Sequence, residues 1–374
     1  MKVIIHTGMD DTGSDAVQSY LASLSEANIH WFDWPDASHT SLIGLLCADD
    51  IQKLPAFRKS EKTKDQLLRD KDDWLLKLEQ TLKGKPQETL VFSSELFSSP
   101  RPASQRLALR FLSLLAKYAR HIRMITYVHS PAGYSRAQII QQALSGQGIS
   151  FEFETLWPHY RQRFAKIESQ LGSANLDYVR FQPEKFPGKS VASDFARRIS
   201  TPAPESPKES GSTWSLEGLA LFNHIQTLPE MSAAKHPVRR RLSRALGRSL
   251  ETVGSTDFAL SADTQEMMCQ FYQEDLSWIE GRVRGSLRED INPDKTEISS
   301  ARDLSRMITN APELLDHALV ALSIKPAATP RQRLVNKLGI VDDYFGNTSR
   351  TTEAPRRRPV RNKKRPGKRN AGRA

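Results

Sequence analysis

The most chemically suggestive segment is VIIHTGMDDTGSDAVQSYL at residues 3–21, a pattern that predicts a strand, a glycine-bearing turn and a helix. Backbone N–H groups converge at such a turn, and the helix dipole favours negative charge there. Gly8 and Gly13 let the backbone approach a phosphate closely, and the hydroxyls of Thr12 and Ser14 can donate to it. The segment therefore predicts an anion-binding loop, with a tight turn that holds no ligand as the alternative.

The charges in this turn are unusual for a phosphate site. The spacing of Gly8 and Gly13 fits the start of a Walker A motif, but Ser14 and Asp15 stand where Lys and Ser/Thr are required. An ATPase or GTPase is therefore not indicated. Asp11 and Asp15 are expected to be exposed carboxylates stabilised by the helix dipole. A Mg²⁺ site is the weaker alternative, because no third ligand is visible beside them, and no metal site is predicted.

Three further residues could carry chemistry. Glu95 follows a predicted strand, where α/β ligand sites lie, and it is the best candidate for a general base. A helix-capping or surface acid is the alternative for Glu95. His6 is a second catalytic candidate, although a histidine at a strand end is as often structural. His129 could pair with a phosphate if protonated, since its unperturbed pKa lies near 6.5.

The elements that must position these residues alternate between strand and helix over the first 200 residues. This alternation predicts an α/β fold with a parallel sheet flanked by helices. Residues 200–212 are rich in Pro and Ser and predict a loop insert, and 213–325 is expected to be helical without a convincing strand. Together, 1–325 is predicted to form one domain, and 326–374 a disordered basic tail. The predicted strands are 2–8, 29–35, 88–97, 122–130 and 176–181.

The composition of the 374-residue chain indicates where its charge lies and in which compartment it is expected. Of its 54 Lys and Arg residues, eleven lie in 350–374 beside a single Glu, so about +10 of the net charge of +11 belongs to the tail. No apolar run approaches the roughly 18 residues of a membrane span, and the N-terminus lacks signal-peptide features. The two cysteines, Cys47 and Cys269, form no disulfide framework. We expect a cytoplasmic protein without a membrane span.

Several segments, in order along residues 1–285, resemble the bacterial branch of the sulfotransferase family. In the first loop, the family pattern His-x-Gly-x-x-Lys-Thr-Gly-Ser/Thr-Ser/Thr, followed by an apolar residue and Gln, is matched by His6, Gly8, Thr12, Gly13, Ser14, Val17 and Gln18. VFSSELFSS at 91–99 is similar to the strand-Ser-Ser-Glu segment of the family. ITYVHSPAGYSRAQIIQQAL at 125–144 is similar to its Tyr-x-Arg-x-Pro helix entry.

This resemblance implies a P-loop-type α/β sheet and the donor 3′-phosphoadenosine 5′-phosphosulfate. In the family the first loop holds the 5′-phosphosulfate, an Arg and a Ser of the helix-entry motif hold the 3′-phosphate, and a His or Glu is the base. Here Asp11 replaces the loop Lys, and His129 replaces the Arg. The Ser aligns with Ala137, with Ser135 two residues away. The donor-binding loop is thus degenerate.

Two functions follow from the resemblance. The first is a sulfotransferase that acts on a hydroxyl of a glycan or small acceptor. The second is an inactive relative that binds a nucleotide, a glycan or a polyanion. Basic residues between Arg356 and Arg373 could contact a polyanion without sequence specificity. Arg136 and Arg180 are expected to be surface or ion-paired residues. Trp157, Tyr160 and Phe164 are expected in the core.

Overall fold

A computed structural model of the chain is organised around a five-stranded parallel sheet, as the alternation of strands and helices predicts. The first strand lies in the centre, hydrogen-bonded to the third strand on one side and to the fourth on the other. The structure describes residues 1–26, 28–58, 60–84, 88–145, 148–204, 214–229, 231, 236–251, 253–289 and 295–316, without the side chains of 236, 237, 240, 244 and 248.

The strand order is β2-β3-β1-β4-β5, and every neighbouring pair is parallel. Val3, Ile4 and Ile5 are all buried, so β1 is covered on both faces. Such two-sided burial is why its sequence is a continuous apolar run instead of an alternating one. The strands are β1 (Lys2–Gly8), β2 (Ile29–Trp31), β3 (Thr89–Ser93), β4 (His121–Val128) and β5 (Leu176–Arg180).

Helices cover both faces of the sheet and build most of the C-terminal part. In the part of the chain that the structure describes, no helix has the length and apolar character that a membrane crossing requires. The first five are α1 (Ser14–Ser23), α2 (Thr40–Cys47), α3 (Lys64–Leu82), α4 (Pro102–Leu115) and α5 (Pro131–Ser145). Those that follow are α6 (Phe153–Leu156), α7 (Tyr160–Leu171), α8 (Val191–Ile199), α9 (Leu216–Gln226), α10 (His236–Leu250), α11 (Ala262–Phe271), α12 (Gln273–Val283) and α13 (Ala301–Asn310).

Three large apolar clusters hold most of these layers together. On one face, α1 and α8 pack on β1 and β4 through residues such as Val17 and Phe195. On the other face, α2, α3 and α4 pack on the same strands around Phe92 and Phe111. The third cluster joins α5 and α7 to the C-terminal helices. It contains Trp157, Tyr160 and Phe164, each fully buried, which confirms that these aromatic residues are core.

The prediction that 213–325 contains no strand is wrong. Phe258–Leu260 and Thr296–Ile298 pair in parallel as β6 and β7, a separate two-stranded sheet. Each strand has three residues, too few to show an alternating pattern in the sequence. Most of the predicted loop insert at 200–212 and the whole basic tail lie outside the described residues.

Candidate functional site

The glycine-bearing loop lies at the carboxyl edge of the sheet, between β1 and α1. The Met9 N–H donates to the Tyr127 carbonyl oxygen at 3.1 Å, which fixes the loop to the end of β4. The backbone is left-handed at Asp11 (φ 63°) and at Gly13 (φ 75°), and Gly13 is the N-cap of α1. Ligands of parallel α/β sheets bind at this edge. The predicted loop therefore lies where an anion site would be expected.

The interior of this loop is filled by one of its own side chains. Thr12 is almost fully buried, and its hydroxyl donates to the Met9 carbonyl oxygen at 2.8 Å. A Cβ atom on Gly8 would lie only 2.0 Å from Thr12 Oγ1 and 2.9 Å from Ser14 Oγ. Only glycine fits at position 8, because any larger residue would clash with the Thr12 and Ser14 side chains. In this conformation the Thr12 hydroxyl bonds within the loop instead of facing a ligand.

Four acidic residues lie in or beside the loop, and we call Asp10, Asp11, Asp15 and Glu95 the acidic mouth. Glu95 follows β3, in a short 3₁₀ helix (Glu95–Ser98). Partial desolvation raises the pKa of Glu95, and the nearby charges of Asp10 and Asp15 raise it further. A raised pKa brings a carboxyl closer to the range that suits a general base. Two of the causes of this shift are the charges of Asp10 and Asp15, so these carboxylates lie close enough to Glu95 to repel its negative charge.

A buried cation lies beneath the acidic mouth. Arg163 of α7 is only 2% exposed, and one of its Nη atoms lies 3.7 Å from Asp10 Oδ2. Its donors are committed to the protein, to the carbonyl oxygens of Pro158 at 2.5 Å and Ser98 at 2.6 Å and to the Tyr134 hydroxyl at 2.7 Å. Arg163 therefore holds α7 against the loop and is not positioned as a free cation for a ligand.

His6 is sealed inside the sheet face that α8 covers. Its Nδ1 atom lies 2.8 Å from Ser93 Oγ, and its ring packs edge-on against Phe195. Gln18, also matched in the family pattern, donates to the same Ser93 hydroxyl at 3.1 Å. Burial lowers the pKa of His6 to about 3, so the ring is neutral near pH 7. As placed, His6 joins β1 to β3 and does not face a solvent-borne acceptor.

His129, which aligns with the 3′-phosphate Arg, and Ser135, the serine two residues from the aligned Ala137, are also buried. Burial lowers the pKa of His129 to about 4, although contacts with the backbone of Asp11 and Asp10 raise it. His129 is therefore neutral near pH 7 and does not replace an arginine charge. Ser135 is fully buried, and its hydroxyl donates to the carbonyl oxygens of Pro131 and Leu156 at 2.8 and 3.1 Å. Neither residue presents a cation or a free hydroxyl to the loop.

A cavity of about 580 Å³ lies on the same sheet edge, beyond the ends of β4 and β5. Gly133 lines it, and a Cβ atom there would come within 2.9 Å of His129 Nδ1. His129 in turn contacts the backbone of Asp10 and Asp11 in the first loop. We call it the basic pocket, since five cationic side chains contribute to its wall. They are Arg136, Arg180, Lys185, Arg288 and Lys295.

Sequence reasoning missed Arg163 and the basic pocket for different reasons. Arg163 lies on the apolar side of α7, together with Tyr160, Phe164 and Ile167, all buried. A charged residue within the apolar stripe of a helix indicates a buried ion, so the sequence pattern could have identified Arg163. The residues of the basic pocket come from separate segments, so no local motif marks them. Arg136 and Arg180 are ion-paired as expected, with Asp257 and Glu289.

Comparisons with known proteins give no relative for this arrangement. No protein-family profile, curated protein or solved structure matches the chain. Among the described residues, no group of three or more His, Cys, Asp and Glu side chains is placed to hold a metal ion. The acidic mouth and the basic pocket, which lie beside one another, are thus the two features of the chain that indicate its chemistry.

Proposed function

We propose that this chain is a sulfotransferase-like protein that has lost sulfuryl transfer and acts as a binding protein. The observation that carries the proposal is the acidic mouth around a loop filled by Thr12. In a sulfotransferase, the corresponding loop would hold the 5′-phosphosulfate of 3′-phosphoadenosine 5′-phosphosulfate. Here the resemblance aligns Asp11 with the Lys of that loop, and Asp10 and Asp15 lie close enough to Glu95 to raise its pKa.

The order of the strands supports the resemblance to a P-loop-type fold. The first strand is central, its loop lies at the carboxyl edge, and the next element is a helix that begins at Gly13. This arrangement brings the backbone N–H groups of the first turn of α1 to the edge where a ligand would bind. The fold thus provides a location for an anion, whereas the side chains around it oppose one.

The charges in and near the loop favour loss of catalysis. Removal of one group that stabilises the developing charge in a transition state costs about 10²–10³ in rate. Asp11 adds repulsion to that loss, because two like charges about 4 Å apart interact by about 4 kcal/mol at an effective dielectric constant of 20. His129 offers no compensation, since burial keeps its pKa near 4.

An active sulfotransferase remains the second candidate, and Glu95 is the observation that favours it. Its carboxyl follows the carboxyl end of β3, faces the loop and has a raised pKa. A general base needs this position to accept the proton of an acceptor hydroxyl. Activity would still require a conformation in which Thr12 leaves the loop and a cation other than Arg163 reaches the donor.

Calorimetry with 3′-phosphoadenosine 5′-phosphate tests the proposal. Asp11→Lys should bind the nucleotide at least about tenfold more tightly than the wild-type protein, as expected for a reversed charge near a phosphate. Asp11→Asn is the matched control, because Asn also tolerates the left-handed backbone at φ 63° and removes only the negative charge. Its affinity should fall between the other two.

Turnover of the donor separates the two candidate functions. The wild-type protein, incubated with 3′-phosphoadenosine 5′-phosphosulfate and a panel of hydroxyl acceptors, should release no bisphosphate nucleotide above background. Release that disappears in Glu95→Gln would overturn the binding proposal and establish the transferase. Failure of Asp11→Lys to gain affinity would show that the loop is not an ancestral nucleotide site.

A further inference from the structure

We infer that the basic pocket is the ligand site of this protein and that its ligand is a small phosphate or sulfate ester. The inference rests on the proposed function, since it assigns the binding activity to a place other than the first loop. The cavity volume of about 580 Å³ suits a molecule of the size of a monosaccharide or disaccharide ester.

The cations of the pocket converge from separate parts of the chain. Arg136 comes from α5 and Arg180 from the last position of β5, and Lys185 follows in a short 3₁₀ helix. Arg288 follows α12, and Lys295 immediately precedes β7. Five cationic groups around one cavity produce a field that attracts anions, and the low-dielectric protein wall strengthens it.

Neighbouring groups hold the two arginines that lie nearest the sheet. An Nη atom of Arg136 donates to the Trp214 carbonyl oxygen at 2.9 Å, and its guanidinium lies 4.8 Å from the centre of the Phe258 ring. Arg180 donates to the Ser286 carbonyl oxygen at 2.6 Å. Pre-positioned guanidinium groups lose little entropy when they bind phosphate or sulfate, whose oxygens match their planar donor geometry.

Within the described residues, not all the donors of these arginines have an acceptor. The Nε atoms of Arg136 and Arg180 are buried and have no hydrogen-bond partner among the described residues. An unsatisfied buried donor is costly, so a nearby acceptor would be favourable. The side-chain ammonium of Lys185 forms no ion pair or hydrogen bond within the described part of the chain and is free to turn toward a ligand.

Acidic residues near the pocket reduce its charge without cancelling it. Two carboxylates, Glu184 and Glu289, line the cavity with the five cations. Two more acids pair with the lining cations from outside it, Asp257 with Arg136 and Lys295, and Glu266 with Arg288. The balance stays positive with all four acids included, which fits one mono- or dianionic group better than a polyanion.

Calorimetric titration of the full chain with 4-nitrophenyl sulfate and 4-nitrophenyl phosphate tests this assignment. Lys185→Gln should weaken binding of the preferred ester by about fivefold to tenfold, as expected for one charged hydrogen bond. Lys189→Gln is the matched control, since this exposed lysine lies four residues further along and does not line the cavity. Both variants keep the basic tail, so binding there cannot produce a difference between them.

Arg180→Gln should weaken binding more than Lys185→Gln, provided that its circular dichroism and melting temperature match those of the wild-type protein. No binding of either ester, or equal affinities in the two lysine variants, would overturn the site. Inorganic phosphate and sulfate are titrated in parallel, and binding as tight as that of the esters would overturn the assignment to an ester. Donor turnover by the wild-type protein would refute the proposed function and leave these affinities unchanged, so the two failures are distinguishable.

Discussion

The first loop and the basic pocket lie on the same edge of one sheet and differ in charge. The loop follows the central strand, where the fold favours an anion, but four acidic residues lie in or beside it and Thr12 fills it. The pocket lies beyond β4 and β5, and five cationic side chains line it. The comparison teaches that backbone topology determines where a ligand can bind, whereas side chains from distant segments determine which ligand does.

The largest expected effect concerns the cation beneath the acidic mouth. If Arg163 is a structural residue, Arg163→Met should lower the free energy of unfolding by about 3–5 kcal/mol, because it leaves the carbonyl oxygens of Pro158 and Ser98 without their donors. Urea unfolding followed by circular dichroism measures the change.

Arg161→Met provides the control for this prediction. Arg161 is an exposed residue two positions away on the same helix, and its replacement should alter stability by less than about 0.5 kcal/mol. A loss below about 1 kcal/mol in Arg163→Met would remove the contrast between loop and pocket, since Arg163 would then be available to serve a ligand in the loop.

A smaller effect is expected from the contact between Gly8 and Thr12. Gly8→Ala places a methyl group 2.0 Å from Thr12 Oγ1, and the resulting overlap should cost about 1–3 kcal/mol of stability. Thr12→Ala alone should cost about 1 kcal/mol, through loss of the hydrogen bond to Met9. Because Thr12→Ala also removes the clashing atom, the double variant should lose less than the sum of the two single losses.

A double-mutant cycle from chemical unfolding measures this coupling. Additive losses would show that Thr12 does not fill the loop in solution. The loop would then be open to a ligand, and its difference from the basic pocket would be one of charge alone.

The sequence predicted the sheet and the location of the loop because both depend on local patterns. An apolar strand, a glycine turn and a helix follow one another within 2–23, and parallel strands place all such turns on one edge. The three-residue strands β6 and β7 are too short to show an alternating sequence pattern. They pair with each other although they are far apart along the chain.

The basic pocket could not be predicted for a similar physical reason. Its cations lie between Arg136 and Lys295 in the sequence and meet only after the C-terminal helices pack on α5 and α7. The protonation state of His129 could not be predicted from the sequence either. A ring expected to titrate near pH 6.5 has a pKa of about 4, because folding removes it from water.

The smallest expected effect is a shift in the titration of Glu95, which measures the field of the acidic mouth. The pKa of Glu95 is raised by partial desolvation and then by Asp10 and Asp15, so Asp10→Asn with Asp15→Asn should lower it. A folded-state pKa above the unfolded value favours folding most below the unfolded pKa. This contribution is lost as the pH rises through the folded pKa. The double variant should therefore lose less stability than the wild-type protein across that window.

Carbon-13 NMR of the Glu95 carboxyl follows this titration directly, with Asp72→Asn on the exposed side of α3 as the control. Salt at about 0.5 M should also lower the pKa of wild-type Glu95, because it screens exposed charges. An unchanged pKa in the double variant would mean that burial alone raises it. The carboxylates of the mouth would then not act together, and their number would no longer explain why the loop should reject an anion that the pocket accepts.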